Sequence, residues 1–287
     1  MPTYPMRNPK LTPAEREARK HLFEAIEKSD SASLKRILKV CPKLASLPKT
    51  MLGIPPLSAA VLRASLPQNW DNIETISCIE LLLEAGADLE RWWCGAAPRW
   101  LRNYCLDEEL MGPPLYLACL CGWLDGMRLL LNHGAAVDAR YNSSSKSSTT
   151  YLARTVLMEA MYCGFPEGGQ LLLERGADAN AISGNELWTP LHYAAVGACP
   201  REATTLLIGA SANVRARDAD GKEAVDLARE NGRFEVANIL LAEEHRLRAL
   251  EAKKAIEQGI ESGRASAGNR GQFALPIEPI RRPSNIL

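Results

Sequence analysis

The sequence predicts an all-α solenoid of about six helix–turn–helix repeats, with long finger-loop insertions and a C-terminal helix. Three observations predict it. A leucine-rich string closed by glycine recurs along the chain. A second string, built on Pro-Leu and small residues, precedes each copy. The distance between copies is irregular in a way that leaves room for inserted loops.

The closing string reads Leu81-Leu82-Leu83-Glu84-Ala85-Gly86-Ala87-Asp88. It returns at Leu129–Asp138 around Gly134 and at Leu171–Asn180 around Gly176. In a weaker copy, Leu206-Leu207-Ile208-Gly209-Ala210-Ser211-Ala212-Asn213, Ser211 takes the glycine position. Each copy has the chemistry of a helix end. The apolar run packs inward, and glycine supplies the left-handed residue that a side chain with a Cβ disfavours. The Asp or Asn that follows suits a tight turn.

The opening string is clearest as Thr189-Pro190-Leu191-His192-Tyr193-Ala194-Ala195. Its relatives start at Pro55-Pro56-Leu57, Pro113-Pro114-Leu115 and Thr155-Val156-Leu157. Threonine can cap a helix, proline in the first turn loses no needed hydrogen bond, and paired small residues let the next helix approach.

Together the two strings resemble the ankyrin repeat, with its TPLHxA opening and its GAD-type close. The resemblance covers residues 19–244. Degenerate copies at Leu22–Leu38 and at Asp220–Leu241 read as the terminal repeats, whose outer faces meet water. The motif histidine is present only at His192, where it is read as structural. Outside the repeat domain the expected divisions are an N-terminal extension (1–18), a C-terminal helix (245–262) and a disordered tail (263–287).

The anchors Gly86, Gly134, Gly176 and Ser211 are separated by 48, 42 and 35 residues. Against a repeat of about 33 residues, the first two intervals carry insertions, expected near 91–110 and 140–150; a third is expected near 63–73. The first holds three of the six tryptophans, with three arginines and a tyrosine: Arg91, Trp92, Trp93, Arg99, Trp100, Arg102 and Tyr104. Trp, Tyr and Arg are the side chains enriched at binding hot spots. Two readings stand for them, a docking surface or a small core for the insertion itself. The second insertion starts at Tyr141, a further partner-binding candidate, and continues in serine, threonine and lysine, as a mobile polar loop does.

The resemblance implies a non-catalytic protein–protein interaction module, an adaptor, scaffold or inhibitor that meets a protein partner through its finger loops and concave face. Carried over by position, it adds Glu159, Asn185, Glu186, Trp188 and Tyr193 to the partner-binding candidates. A bacterial immunity protein or secreted effector is an alternative of the same class. An enzyme or metal protein with a site in residues 91–105 is the alternative from another class.

Composition and motifs restrict the function further. Lys plus Arg equals Asp plus Glu at 34 each, without the basic stripe that gripping nucleic acid requires, so no nucleic-acid partner is expected. No phosphate-cradling glycine loop or nucleophile–base pattern occurs, so neither cofactor nor catalysis is expected. The eight cysteines form no CxxC pair, and a zinc set from Cys94, Cys105, Cys121 and Cys163 lacks ligand-like spacing. The absence of a signal-like leader or an 18-residue apolar run predicts a cytoplasmic chain, with no membrane contact and monomeric on its own.

Overall fold

The computed structural model describes residues 11–47, 53–69, 72–91, 93–96, 109–141 and 153–268. Among them the helices fall into six successive pairs. These are α1 (Pro13–Lys28) with α2 (Ser31–Val40), α3 (Pro56–Ala64) with α4 (Ile73–Glu84), and α5 (Pro114–Leu120) with α6 (Leu124–Asn132). Then come α7 (Val156–Cys163) with α8 (Pro166–Glu174), α9 (Pro190–Val196) with α10 (Pro200–Gly209), and α11 (Ala224–Glu230) with α12 (Phe234–Gly268). The first helices pack in sequence, α1 on α3, α3 on α5, α5 on α7, α7 on α9 and α9 on α11. The second helices form a parallel row in which α2 meets α4, α6 meets α8 and α8 meets α10.

Local chemistry explains these bounds. Thr12 caps α1 in a reciprocal pair with Glu15, Asp30 accepts from the Ser33 amide at the start of α2, and Asn72 accepts from Glu74 and Thr75 at α4. Proline occupies the first turn of α3, α5, α8, α9 and α10. Gly86, Gly134 and Gly176 all end their helices at positive φ, and so does Ser211 at φ 62°, as expected of the residue in the glycine position. In all four turns the next amide returns to a helical carbonyl, Ala87 to Leu82, Ala135 to Leu130, Ala177 to Leu172 and Ala212 to Leu207.

The turn residues after these glycines also bond between repeats. The side chains of Glu90, Asp138 and Asn180 accept the backbone amides of Ala136, Asp178 and Asn213, each from the following repeat. The core along the helix faces is leucine and alanine, with Leu57, Leu82, Leu115, Leu130, Leu157, Leu172, Leu191 and Leu207 buried.

Two antiparallel strand pairs interrupt the helical pattern. β1 (Trp93–Ala96) pairs with β2 (Glu109–Gly112), and β3 (Arg140–Tyr141) pairs with β4 (Arg154–Thr155). They form the roots of the two insertions. Three expected boundaries move. Helix α1 starts at Pro13, inside the expected N-terminal extension, because Thr12 caps it there. The C-terminal helix expected over 245–262 is continuous with the second helix of the last repeat: α12 starts at Phe234 and runs past Gly263 to Gly268. The chain divides into two compact units after Leu241, and the second contains this continuation, carrying Glu243–Arg246 and Glu244–Arg248 ion pairs along its own surface.

Candidate functional site

The opening string places His192 and Tyr193 in the first turn of α9, and the repeat-five hairpin (181–189) leads into it. His192 is buried. Its Nδ1 lies 3.1 Å from the Thr189 amide and 2.8 Å from Thr189 Oγ1, and its Nε2 lies 3.3 Å from the Lys222 carbonyl of the next hairpin. Burial holds its pKa below the usual histidine value of 6.5, so the ring is neutral and structural. Asp218 anchors that next hairpin through the amides of Asp220 and Lys222, and it accepts the Trp188 indole N–H at 3.2 Å.

One repeat earlier the position of His192 is taken by Met158, and the ties are different. Glu159, in the first turn of α7, is only 5% exposed. It accepts the Tyr141 hydroxyl from β3, sits 3.3 Å from Cys163 Sγ and pairs with Arg154 of β4 at 3.6 Å. Arg154 also donates to the Tyr193 hydroxyl at 3.1 Å, and its guanidinium lies over the rings of Tyr193 and Tyr162, 4.7 and 5.5 Å from their centroids. Tyr141 stacks on Tyr116 of α5 at 3.9 Å. Trp188 meets Tyr193 edge-on at 5.1 Å.

The electrostatics of this cluster are those of a dry site. Burial raises the Tyr141, Tyr116 and Tyr193 hydroxyls above their ordinary range, and the Glu159 charge adds to the effect on the first two. Burial alone would lower the Arg154 guanidinium, but Tyr193, Tyr141 and Glu159 around it more than offset that and raise it. The thiols follow the same rule: Cys78 is pushed up to about 12 and Cys121 to about 11 by burial, and Cys119 and Cys163 also rise. Thiols held this way are poor nucleophiles. Among the described residues no group of three or more His, Cys, Asp or Glu is placed to hold a metal ion, and no helix is long and apolar enough to cross a membrane.

The structure brings four of the sequence-picked residues, Tyr141, Glu159, Trp188 and Tyr193, into this one network, but not as the displayed surface expected of them. Tyr141 and Tyr193 have no exposed surface and Glu159 almost none. The strand pair β3–β4 folds over the start of α7, and Tyr116, Arg154 and Trp188 close the sides. Asn185 is exposed, and Glu186 and Trp188 are half-exposed, on the repeat-five hairpin. Arg91 is half-exposed at the foot of the first insertion, and Trp93 lies in β1. Trp92, Arg99, Trp100, Arg102 and Tyr104, as well as 142–150 and the tail from 269, lie outside the described residues.

Sequence reasoning missed Arg154, which carries no motif, and three exposed apolar side chains beside the network: Tyr162 at 45%, Ile182 at 49% and Leu187 at 45%. Leu187 has a positive φ of 53°, a conformation that costs a residue with a Cβ about 1 kcal/mol. Leucine there is a signal the sequence does carry, since the hairpin tip would favour glycine or asparagine.

Comparison with known families agrees with the repeat geometry. A model of ankyrin repeats in three copies matches residues 72–183, and a single ankyrin-repeat model matches 186–219, together just over half of the chain. The chain belongs to the ankyrin-repeat family. Ankyrin repeats are generally protein–protein interaction modules, and proteins built from them are typically non-catalytic. In this ankyrin-repeat protein the matched segments begin at α4 and end in the hairpin before α11, and α1, α3 and α11 extend the same row of first helices beyond them.

Proposed function

We propose that this ankyrin-repeat protein is a non-catalytic adaptor, scaffold or inhibitor that docks a protein partner on the hairpin side of repeats four and five, extended by the tryptophan- and arginine-rich insertion at 91–105. One observation carries the reading: Tyr162 of α7 and Ile182 and Leu187 of the repeat-five hairpin are exposed, and half-buried Trp188 of that hairpin is held by Tyr193 and Asp218. Scattered exposed apolar residues are normal. Three on α7 and the hairpin that follows it, one of them in a strained conformation, offer anchors with little ordering cost on binding. Asn185 and Glu186 supply polar groups beside it, and Trp92, Trp93, Arg99, Trp100, Arg102 and Tyr104 are the proposed second contact.

The test uses a photo-crosslinking side chain at Leu187, with one at exposed Val40 as a control. A discrete partner captured at position 187 and not at 40, and lost in Tyr162→Ala/Ile182→Ala, is expected. Equal capture at both positions, or capture that survives the double substitution in a folded protein, overturns the assignment of this face.

A further inference from the structure

A solenoid ordinarily couples each repeat only to its neighbours. Here a line of buried and part-buried side chains links several neighbouring repeats in succession. At its first end, β2 closes on Gly112, where an added methyl would fall 2.2 Å from Tyr116 Cδ1, so the root of the first insertion rests directly on that ring. Tyr116 belongs to repeat three and stacks on Tyr141 of β3. Tyr141 donates to Glu159 in repeat four, Glu159 pairs with Arg154, and Arg154 donates to Tyr193 in repeat five. Tyr193 then meets Trp188, whose indole reaches Asp218 in the hairpin of repeat six. Each link is a ring contact, an ion pair or a hydrogen bond to a hydroxyl or a carboxylate, and each depends on geometry more than apolar packing does.

We infer that the buried line from Tyr116 through Tyr141, Glu159 and Arg154 to Tyr193 couples the root of the first insertion to the repeat-five hairpin, so that the two move as one element. Glu159 is the positioning residue at its centre, since from α7 it meets both Tyr141 of β3 and Arg154 of β4. The consequence is that two surfaces separated by a whole repeat report on each other. The coupling is a property of the free chain and does not depend on a partner being bound.

The test perturbs one end and reads the other by amide exchange in the full chain, followed by NMR. Gly112→Ala pushes a methyl into Tyr116. The readout is the Ser183 and Trp188 amides, which bond across the repeat-five hairpin to Trp188 O and Ser183 Oγ. The control is the Leu34 amide of α2 in repeat one, as many repeats away on the other side but off the line. Exchange at 183 and 188 is expected to rise by about tenfold, with Leu34 changing by less than about twofold.

The same substitution is then made in Tyr141→Phe/Arg154→Met/Glu159→Leu, which replaces the polar links by apolar side chains of similar size. There the response at 183 and 188 is expected to vanish while overall stability is retained. An equal rise on both sides, no rise at the hairpin, or a rise that persists in the apolar background overturns the inference. If Gly112→Ala does not fold, the reverse experiment decides. Trp188→Phe should raise exchange in β1–β2 in the parent chain and not in the apolar background, and any other pattern overturns the coupling.

Discussion

Repeats four and five tie their first helices to the neighbouring hairpins by different means. Repeat five uses a neutral histidine: His192 closes on Thr189 and reaches the Lys222 carbonyl. Every partner is local or in the next repeat, so the device can be copied along an array. Repeat four has Met158 there; the Thr155 amide meets its sulfur and Thr155 Oγ1 accepts from its amide, and among the described residues that side chain makes no bond on to the next hairpin. Its tie is the buried Glu159–Arg154 pair with Tyr141, drawn from three elements that flank the second insertion. The difference shows what an insertion demands. Once β3 and β4 replace the short hairpin, a single histidine cannot span them, and a charged centre with several donors can.

The largest effect expected from breaking that contrast is at Glu159. Glu159→Gln leaves the part-buried Arg154 guanidinium without its carboxylate, at a cost of about 3 kcal/mol, read as a lower midpoint in urea unfolding. Replacing both charges and the tyrosine hydroxyl with apolar side chains should restore most of it. If Glu159→Gln alone is neutral, the pair contributes nothing to stability.

His192→Ala should cost about 1–3 kcal/mol, because the Thr189 amide and the Lys222 carbonyl each lose a partner. The same residue sets a pH dependence. Its folded pKa lies below the unfolded value, so in acid the unfolded chain takes up a proton that the folded chain refuses. Stability is therefore fully present above pH 6.5 and falls as the pH drops below it. In His192→Gln this slope should be absent, and a retained slope would assign it to another group.

Leu187→Gly relieves a left-handed leucine and should raise stability by about 1 kcal/mol while weakening any partner held at that tip. The smallest effect is at Ser211, where Ser211→Gly installs the residue its three sister turns use. A gain of about 0.5–1 kcal/mol in thermal or urea unfolding is expected.

Much of the fold was legible because it depends on contacts close in sequence. Gly86, Gly134 and Gly176 end helices through bonds within six residues, and Thr189-Pro190 starts one. Even the substitution of Ser211 for glycine was readable, since its left-handed φ follows from its place in the string. The site was legible only in part. Glu159, Trp188 and Tyr193 are picked by their place in the repeat and Tyr141 by the insertion it opens, all as surface. What buries Glu159, Tyr141 and Tyr193 is Arg154 and the β3–β4 pair, which lie at the ends of an insertion with no periodic pattern.

The sequence by itself determined the repeat, its helix starts and stops, and where the period breaks, because helix caps and left-handed turns are local equilibria. Only the tertiary structure decided that a glutamate and three tyrosines from three successive repeats would share one buried cluster, and that Tyr162, Ile182 and Leu187 would be left facing solvent. Burial of a charge depends on whether partners from distant segments arrive in bonding geometry, and that is a property of the assembled stack.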